Sequence, residues 1–175
     1  MIIQFCGLPG AGKTTLANNA KVILSSLKID VEIIDGDEYR KTICADLGFT
    51  KDDRNENIKR LAFVANNFSH QNKVAIVCAV NPYEETRNEL TKKYDKVKTV
   101  FIKCNLETLI KRDPKGLYKR ALMPDENKDK IYNLTGINDP FEIPINPDLI
   151  IDTSNDDIQT CTNKLVDFIS NEHRQ

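Results

Sequence analysis

The stretch "GLPGAGKTT" at positions 7–15 combines residue types and spacing that suit one task. It matches G-x-x-x-x-G-K-[ST], the P-loop that wraps the phosphates of a nucleotide. Glycines at Gly7, Gly10 and Gly12 let successive backbone N–H groups turn toward phosphate oxygens. A helix starting after the loop adds partial positive charge. Lys13 is placed to reach the β- and γ-phosphates, and Thr14 to ligate Mg²⁺. Gly7, Leu8, Pro9, Gly10, Ala11, Gly12, Lys13, Thr14 and Thr15 together are the expected ATP site. The loop does not fix the reaction, because GTPases, ATPases and small-molecule kinases all share it. "NKVA" at 72–75 lacks the Asp of a guanine-reading motif, so a kinase is favoured over a GTPase.

A second group of reactive side chains follows in "DGDEYR" at 35–40. Asp35 and Asp37 stand two apart, just past the C-terminal end of an apolar run. Open α/β sheets bind ligands at such ends. Phosphoryl transfer to a hydroxyl needs a group that holds its proton and a group that orients the metal. These carboxylates suit both jobs, although an Asp-Gly turn with a helix cap would read the same way. Arg40, Phe49, Arg54 and Asn57 follow, the last two sharing one helical face. They suit an anionic nucleotide-like acceptor, or else form an ordinary solvated charged helix. Asn81, in "VCAVNPYEETR", ends another apolar run and reads either as a turn residue or as a substrate contact.

These groups need a scaffold, and the rest of the chain supplies one. Short apolar runs at 2–6, 31–34, 74–79, 97–104 and 149–152 read as buried parallel strands. Helical periodicity fills 13–27, 52–69, 83–94, 106–111 and 156–170. In the second helix Ile58, Leu61, Ala62, Ala65 and Phe68 form the inward stripe; in the last, Ile158, Cys161, Leu165 and Phe168 do. Alternating strands and helices predict an α/β fold: a P-loop NTPase-type doubly wound parallel sheet with helices on both faces. At 175 residues the chain is expected to be a single domain, 1–175. The polar segment 113–147 holds most of the seven prolines and no long strand, and is expected to be a lid.

Composition narrows the partners. A net charge of −1 gives no field for nucleic acid or a membrane surface, so an anion site must be built locally. No apolar run approaches a membrane span. The first strand begins at once, so no signal peptide is expected, and the location is expected to be cytoplasmic. Cys6, Cys44, Cys78, Cys104 and Cys161 are scattered and odd in number, which predicts inert buried thiols rather than a zinc or redox site.

With these motifs in view, the chain resembles the adenylylsulfate (APS) kinases. The resemblance rests on "GLPGAGKTT", "DGDEYR", "DLGFTKDDRNENIKR", "RDPKGLYKRA" and "TGINDPFEIPINPDLIIDT", in family order. It implies transfer of the γ-phosphoryl of MgATP to the ribose 3′-hydroxyl of APS, giving PAPS, by a homodimer. By position it implies ATP on the loop, with Lys13 and Arg112 neutralising phosphate charge. It implies Asp35 with Thr14 for Mg²⁺ and Asp37 for the acceptor hydroxyl. The acceptor site would comprise Asp37, Arg40, Phe49, Arg54, Asn57, Val80, Asn81, Lys115, Asn133 and Leu134.

Four features depart from the family pattern. Asn81 and Glu84 stand where the family has Ser and Arg, and Glu84 is expected to change the field beside the acceptor. Leu134 replaces a lid Phe that clamps the base against the Phe49 side. Losing one ring would cost about 1–3 kcal/mol of stacking. The lid segment "ALMPDENKDKIYNLTG" is longer than usual. All four lie near the acceptor, which keeps a second acceptor open: cytidine diphosphoramidate, phosphorylated at the same hydroxyl by a related branch. A nucleotide-binding module without turnover is the remaining reading, opposed by the retained Lys13, Thr14, Asp35, Asp37 and Lys115.

Overall fold

The computed structural model describes residues 1–174. Five strands form one all-parallel sheet: β1 (Ile2–Cys6), β2 (Val31–Asp35), β3 (Val74–Cys78), β4 (Val97–Lys103) and β5 (Leu149–Asp152). Their order is β2-β3-β1-β4-β5. β1 and β3 are buried at every position, as their unbroken apolar runs require in a sheet covered on both faces.

Helices α1 (Lys13–Ser26) and α7 (Ile158–His173) pack together on one side of the sheet. The other side carries α3 (Lys51–Ser69) and α4 (Glu84–Lys93). Short helices α2 (Gly36–Tyr39), α5 (Leu106–Arg112) and α6 (Leu117–Ala121) sit at the C-terminal ends of the strands or beyond. The α3 stripe is as expected, with Ile58, Leu61, Ala62 and Ala65 buried and Phe68 packed at the margin. In α7 the inward set is Cys161, Leu165, Val166 and Ile169. Ile158 is 48% exposed, contrary to expectation, because it opens the helix beyond the reach of the core.

The expected lid, 113–147, contains helix α6 and is otherwise irregular. It is not a loose flap. Tyr118, Ala121 and Leu134 are buried in the main hydrophobic core. Burying one such Leu stabilises the fold by about 1.5–3 kcal/mol. Arg54 on α3 also donates to Asn133 O at 2.6 Å and lies 2.8 Å from the Asp139 carboxylate. Among the described residues no helix is long and apolar enough to cross a membrane, and all five cysteines are free. Burial pushes the Cys6 thiol up to about 12 and raises the Cys78 thiol as well, so both are inert at neutral pH.

Candidate active site

The phosphate loop links β1 to α1. Gly7 must be glycine, since a Cβ there would stand 2.4 Å from Ile102 O of the neighbouring strand. Gly12 is the N-cap of α1 at φ 92°, a left-handed backbone that few side-chain-bearing residues adopt. The Tyr118 hydroxyl, donating to Pro9 O at 2.8 Å, and Thr153 Oγ1, donating to Ala11 O at 3.0 Å, brace the loop from outside. Neither brace is legible in local residue patterns, because each joins the loop to a segment more than a hundred residues away.

Lys13 folds over the loop and donates to Gly7 O and Leu8 O at 2.9 and 2.8 Å. Burial of its ammonium lowers its pKa to about 8. Thr14 Oγ1 donates to Asp35 Oδ2 at 2.7 Å, so the two expected metal ligands are already adjacent. The other oxygen, Asp35 Oδ1, accepts from the Asp37 N–H at 2.9 Å and caps α2. The turn-and-cap reading of "DGDEYR" stands, and the cap leaves Asp35 beside Thr14 at the loop. The pair is all-oxygen, which suits Mg²⁺, a cation that takes one or two protein ligands plus phosphate and water. Among the described residues no group of three or more His, Cys, Asp or Glu could hold a metal by itself.

A cavity of about 640 Å³ opens from this loop. Its walls include Lys13, Thr14, Asp35, Asp37, Arg40, Phe49, Arg54, Asn57, Val80, Asn81, Lys115, Asn133 and Leu134. The fold thus brings every acceptor residue expected from the sequence to one place. Lys115 pairs with the Asp37 carboxylate across the mouth. The guanidinium of Arg40 lies 4.6 Å, and that of Arg54 5.5 Å, from the centroid of the Phe49 ring. Burial and the neighbouring Arg54 charge lower the Arg40 pKa. Leu134 is buried, and Phe49 is 51% exposed. Asn57 Oδ1, Asn81 Oδ1 and Thr135 Oγ1 are buried in these walls without partners. Buried polar atoms rarely stay unpaired, so they are open to a ligand.

Arg112 is not in this cavity. It donates to Thr153 O at 2.6 Å, on the outer side of the phosphate loop. Gly7, Leu8 and Ala11 also lie outside its walls; Leu8 faces a second, more apolar groove of about 950 Å³ beside β4. That groove is larger, but it lacks the phosphate loop and the Asp35–Asp37 edge. Glu84 does not act as expected either. Its carboxylate accepts from Arg87 Nε and Nη2 at 2.9 and 2.7 Å, so its charge is spent on a buried cation. The Asn81 amide nitrogen donates to Gln4 Oε1 at 3.1 Å, and its oxygen has no partner. Thr135 and Asp139 escaped sequence reasoning, although both lie in the motif "TGINDP".

The geometry has close counterparts. Residues 1–152 match the family model described as adenylylsulphate kinase. This chain belongs to the adenylylsulphate kinase family. The adenylyl-sulfate kinase of Clostridium kluyveri is 36% identical over 171 residues, covering 97% of this chain and 83% of that one. The Chloroflexus aurantiacus adenylyl-sulfate kinase is 39% identical over 95% of this chain and 87% of its own. The structure of the Mycobacterium tuberculosis APS kinase in complex with AMPPNP and APS superposes with a TM-score of 0.88 at 32% identity. That match covers 97% of this chain and 96% of the other.

Proposed function

We propose that this chain transfers the γ-phosphoryl group of ATP to the ribose 3′-hydroxyl of adenylyl sulfate, giving 3′-phosphoadenylyl sulfate. The observation that carries this reading is one cavity lined by both the phosphate loop and the Asp37–Phe49–Arg54–Asn57 group. It is supported by a family whose named members are adenylyl-sulfate kinases. The same names weigh against cytidine diphosphoramidate as the acceptor, and the replaced lid aromatic alone does not carry that alternative.

In this reading the phosphate loop and Lys13 hold the triphosphate, and Thr14 with Asp35 would hold Mg²⁺. The bound ion would supply neutralisation of charge on the β- and γ-oxygens. Asp37 takes the proton of the 3′-hydroxyl, and Lys115, paired to it, puts a cation where negative charge gathers. Arg40 and Arg54 face the anionic group of the acceptor, while Phe49 and Leu134 enclose its base. The segment around Asn133 excludes water that would otherwise take the phosphoryl group. Arg112, outside the cavity, acts on the ATP side. The chain works as one domain, since lid residues share the main core.

We also propose a homodimer in the cytoplasm. Five free cysteines suit a reducing compartment. Among the described residues no helix covers the α3–α4 side of β5, and Ile150 lies exposed in register with Phe101. Phe101, Phe141 and Ile143 line the apolar groove beside it.

The deciding experiment is a coupled ADP-release assay with adenylyl sulfate and cytidine diphosphoramidate in parallel. Adenylyl sulfate should show the higher kcat/KM, and Asp37→Ala should lower kcat by about 10²–10⁴-fold, the range for loss of a general base. A preference for the cytidine substrate would overturn the acceptor; full activity of Asp37→Ala would overturn its role.

A further inference from the structure

Three consecutive carbonyls after β3 are each held by a different part of the molecule. Val80 O accepts from the Gly7 N–H of the phosphate loop at 3.1 Å. Asn81 O accepts from Arg87 Nη1 of α4 at 2.6 Å. Pro82 O accepts from the Glu142 N–H, at the end of the lid, at 2.9 Å. The same three residues line the acceptor cavity. A short strap therefore joins phosphate loop, helix and lid while forming a substrate wall. Its middle residue, Asn81, sits at φ 47°, a left-handed backbone that a side-chain-bearing residue keeps only when its surroundings enforce it.

Arg87 is the hub of this junction, and its side chain is 2% exposed. Besides Asn81 O and the Glu84 carboxylate, its Nη2 donates to Glu142 O at 2.7 Å. Glu142 answers with Oε2, which accepts from the Glu84 N–H at 2.7 Å. That contact caps α4, whose own N-cap residue, Tyr83, offers no side-chain cap. A buried guanidinium needs a counter-charge and filled donors. Glu84 supplies the charge, and the two carbonyls fix the shape. A lysine would keep the charge but lose the planar fork that serves all three partners. Three residues before Glu142, Asp139 meets Arg54, whose guanidinium faces Phe49 inside the cavity. The position of the lid root is thereby passed to the acceptor site.

We propose that Arg87, with Glu84 and Glu142, is a positioning residue for the phosphoryl transfer. It clamps the lid root to the strap and keeps acceptor wall and phosphate loop in one register. It touches no substrate itself. The proposal rests on the adenylyl-sulfate reading only for the acceptor used in the assay.

The test uses Glu142→Ala, which leaves the buried charge pair intact, and Arg87→Lys. Two readouts are taken: amide hydrogen exchange over residues 133–145 of the free protein, and separate KM values for adenylyl sulfate and ATP. Both variants should exchange about fivefold faster or more in that segment, as expected when a local anchor is lost. Both should raise the KM for adenylyl sulfate about fivefold while that for ATP stays within about twofold. A merely structural role would lower the active fraction and leave the KM ratio unmoved. Unchanged exchange, or equal changes in both KM values, overturns the clamp. Should Arg87→Lys fail to fold, the neutral pair Arg87→Gln with Glu84→Gln, which removes the two buried charges together, takes its place in the same two readouts. If the wild-type protein does not turn over adenylyl sulfate, the acceptor reading fails, while the exchange data still decide the clamp.

Discussion

Single residues in this protein are governed by what surrounds their charges. Lys13 is the clearest case. Its ammonium is held near pKa 8 by burial, below its ordinary 10.5. Below pH 8 it is charged and binds phosphate; above, it loses the proton and the attraction. With Lys13 as the phosphate ligand, kcat/KM for ATP should fall about tenfold per pH unit above roughly pH 8. The kcat limb should fall later, because bound phosphate restores the charged form. A kcat/KM flat from pH 7 to 9.5 in a pH–rate profile would contradict the assignment. The stability effect has the opposite sense. Between about 8 and 10.5 the unfolded chain binds more protons at this residue, so its penalty on folding is relieved as pH rises. Glu84 teaches the same lesson from the other side: a charge read as facing the substrate is neutralised by Arg87 behind it.

At the scale of elements, caps decide where functional side chains point. α3 begins with a capping box. Thr50 Oγ1 accepts from the Asp53 N–H at 3.2 Å, and Asp53 Oδ2 accepts from the Thr50 N–H at 3.3 Å. This box sits between Phe49 and Arg54, both acceptor residues. Thr50→Ala should cost about 1 kcal/mol. For a chain of this length that lowers Tm by about 2–4 °C. It should also raise the KM for adenylyl sulfate more than that for ATP, whereas Thr50→Ser should restore both. Calorimetry with steady-state kinetics checks this, and an unchanged Tm would remove the box from the account. The lid is the opposite case, an element with few caps of its own that borrows order from Arg54, Arg87 and the core.

At the scale of the molecule, the sheet is covered unevenly. α1 and α7 close one side, but beyond α4 the other side leaves Ile150 53% exposed and Ile143 70% exposed. A second copy of the chain would cover this apolar strip. Light scattering coupled to size exclusion should give twice the chain mass, and the pair Ile143→Asp and Ile150→Lys should shift it to the monomer. A wild-type monomer at micromolar concentration would end the dimer proposal. The fold does not depend on that outcome, because the two core clusters are complete within one chain.

Local rules reached far in this protein. The bounds of β1 and β5, the phosphate loop and the carboxylate edge at Asp35 and Asp37 follow from residue types and short-range periodicity, and all stand in the structure. The gathering of Arg40, Phe49, Arg54 and Asn57 at one cavity is what the family resemblance implies; their spacing alone is equally that of a solvated charged helix. What the chain order could not express is contact between distant segments. The brace of Tyr118 on Pro9, the pairing of Arg54 with Asp139 and the burial of Arg87 against Glu84 and Glu142 exist only once the sheet brings those pieces together. Helix and strand signals arise from neighbours a few residues apart, so they are written in the sequence. The partner of a buried charge is set by packing, and that is why only the tertiary structure turned Glu84 away from the substrate and toward Arg87.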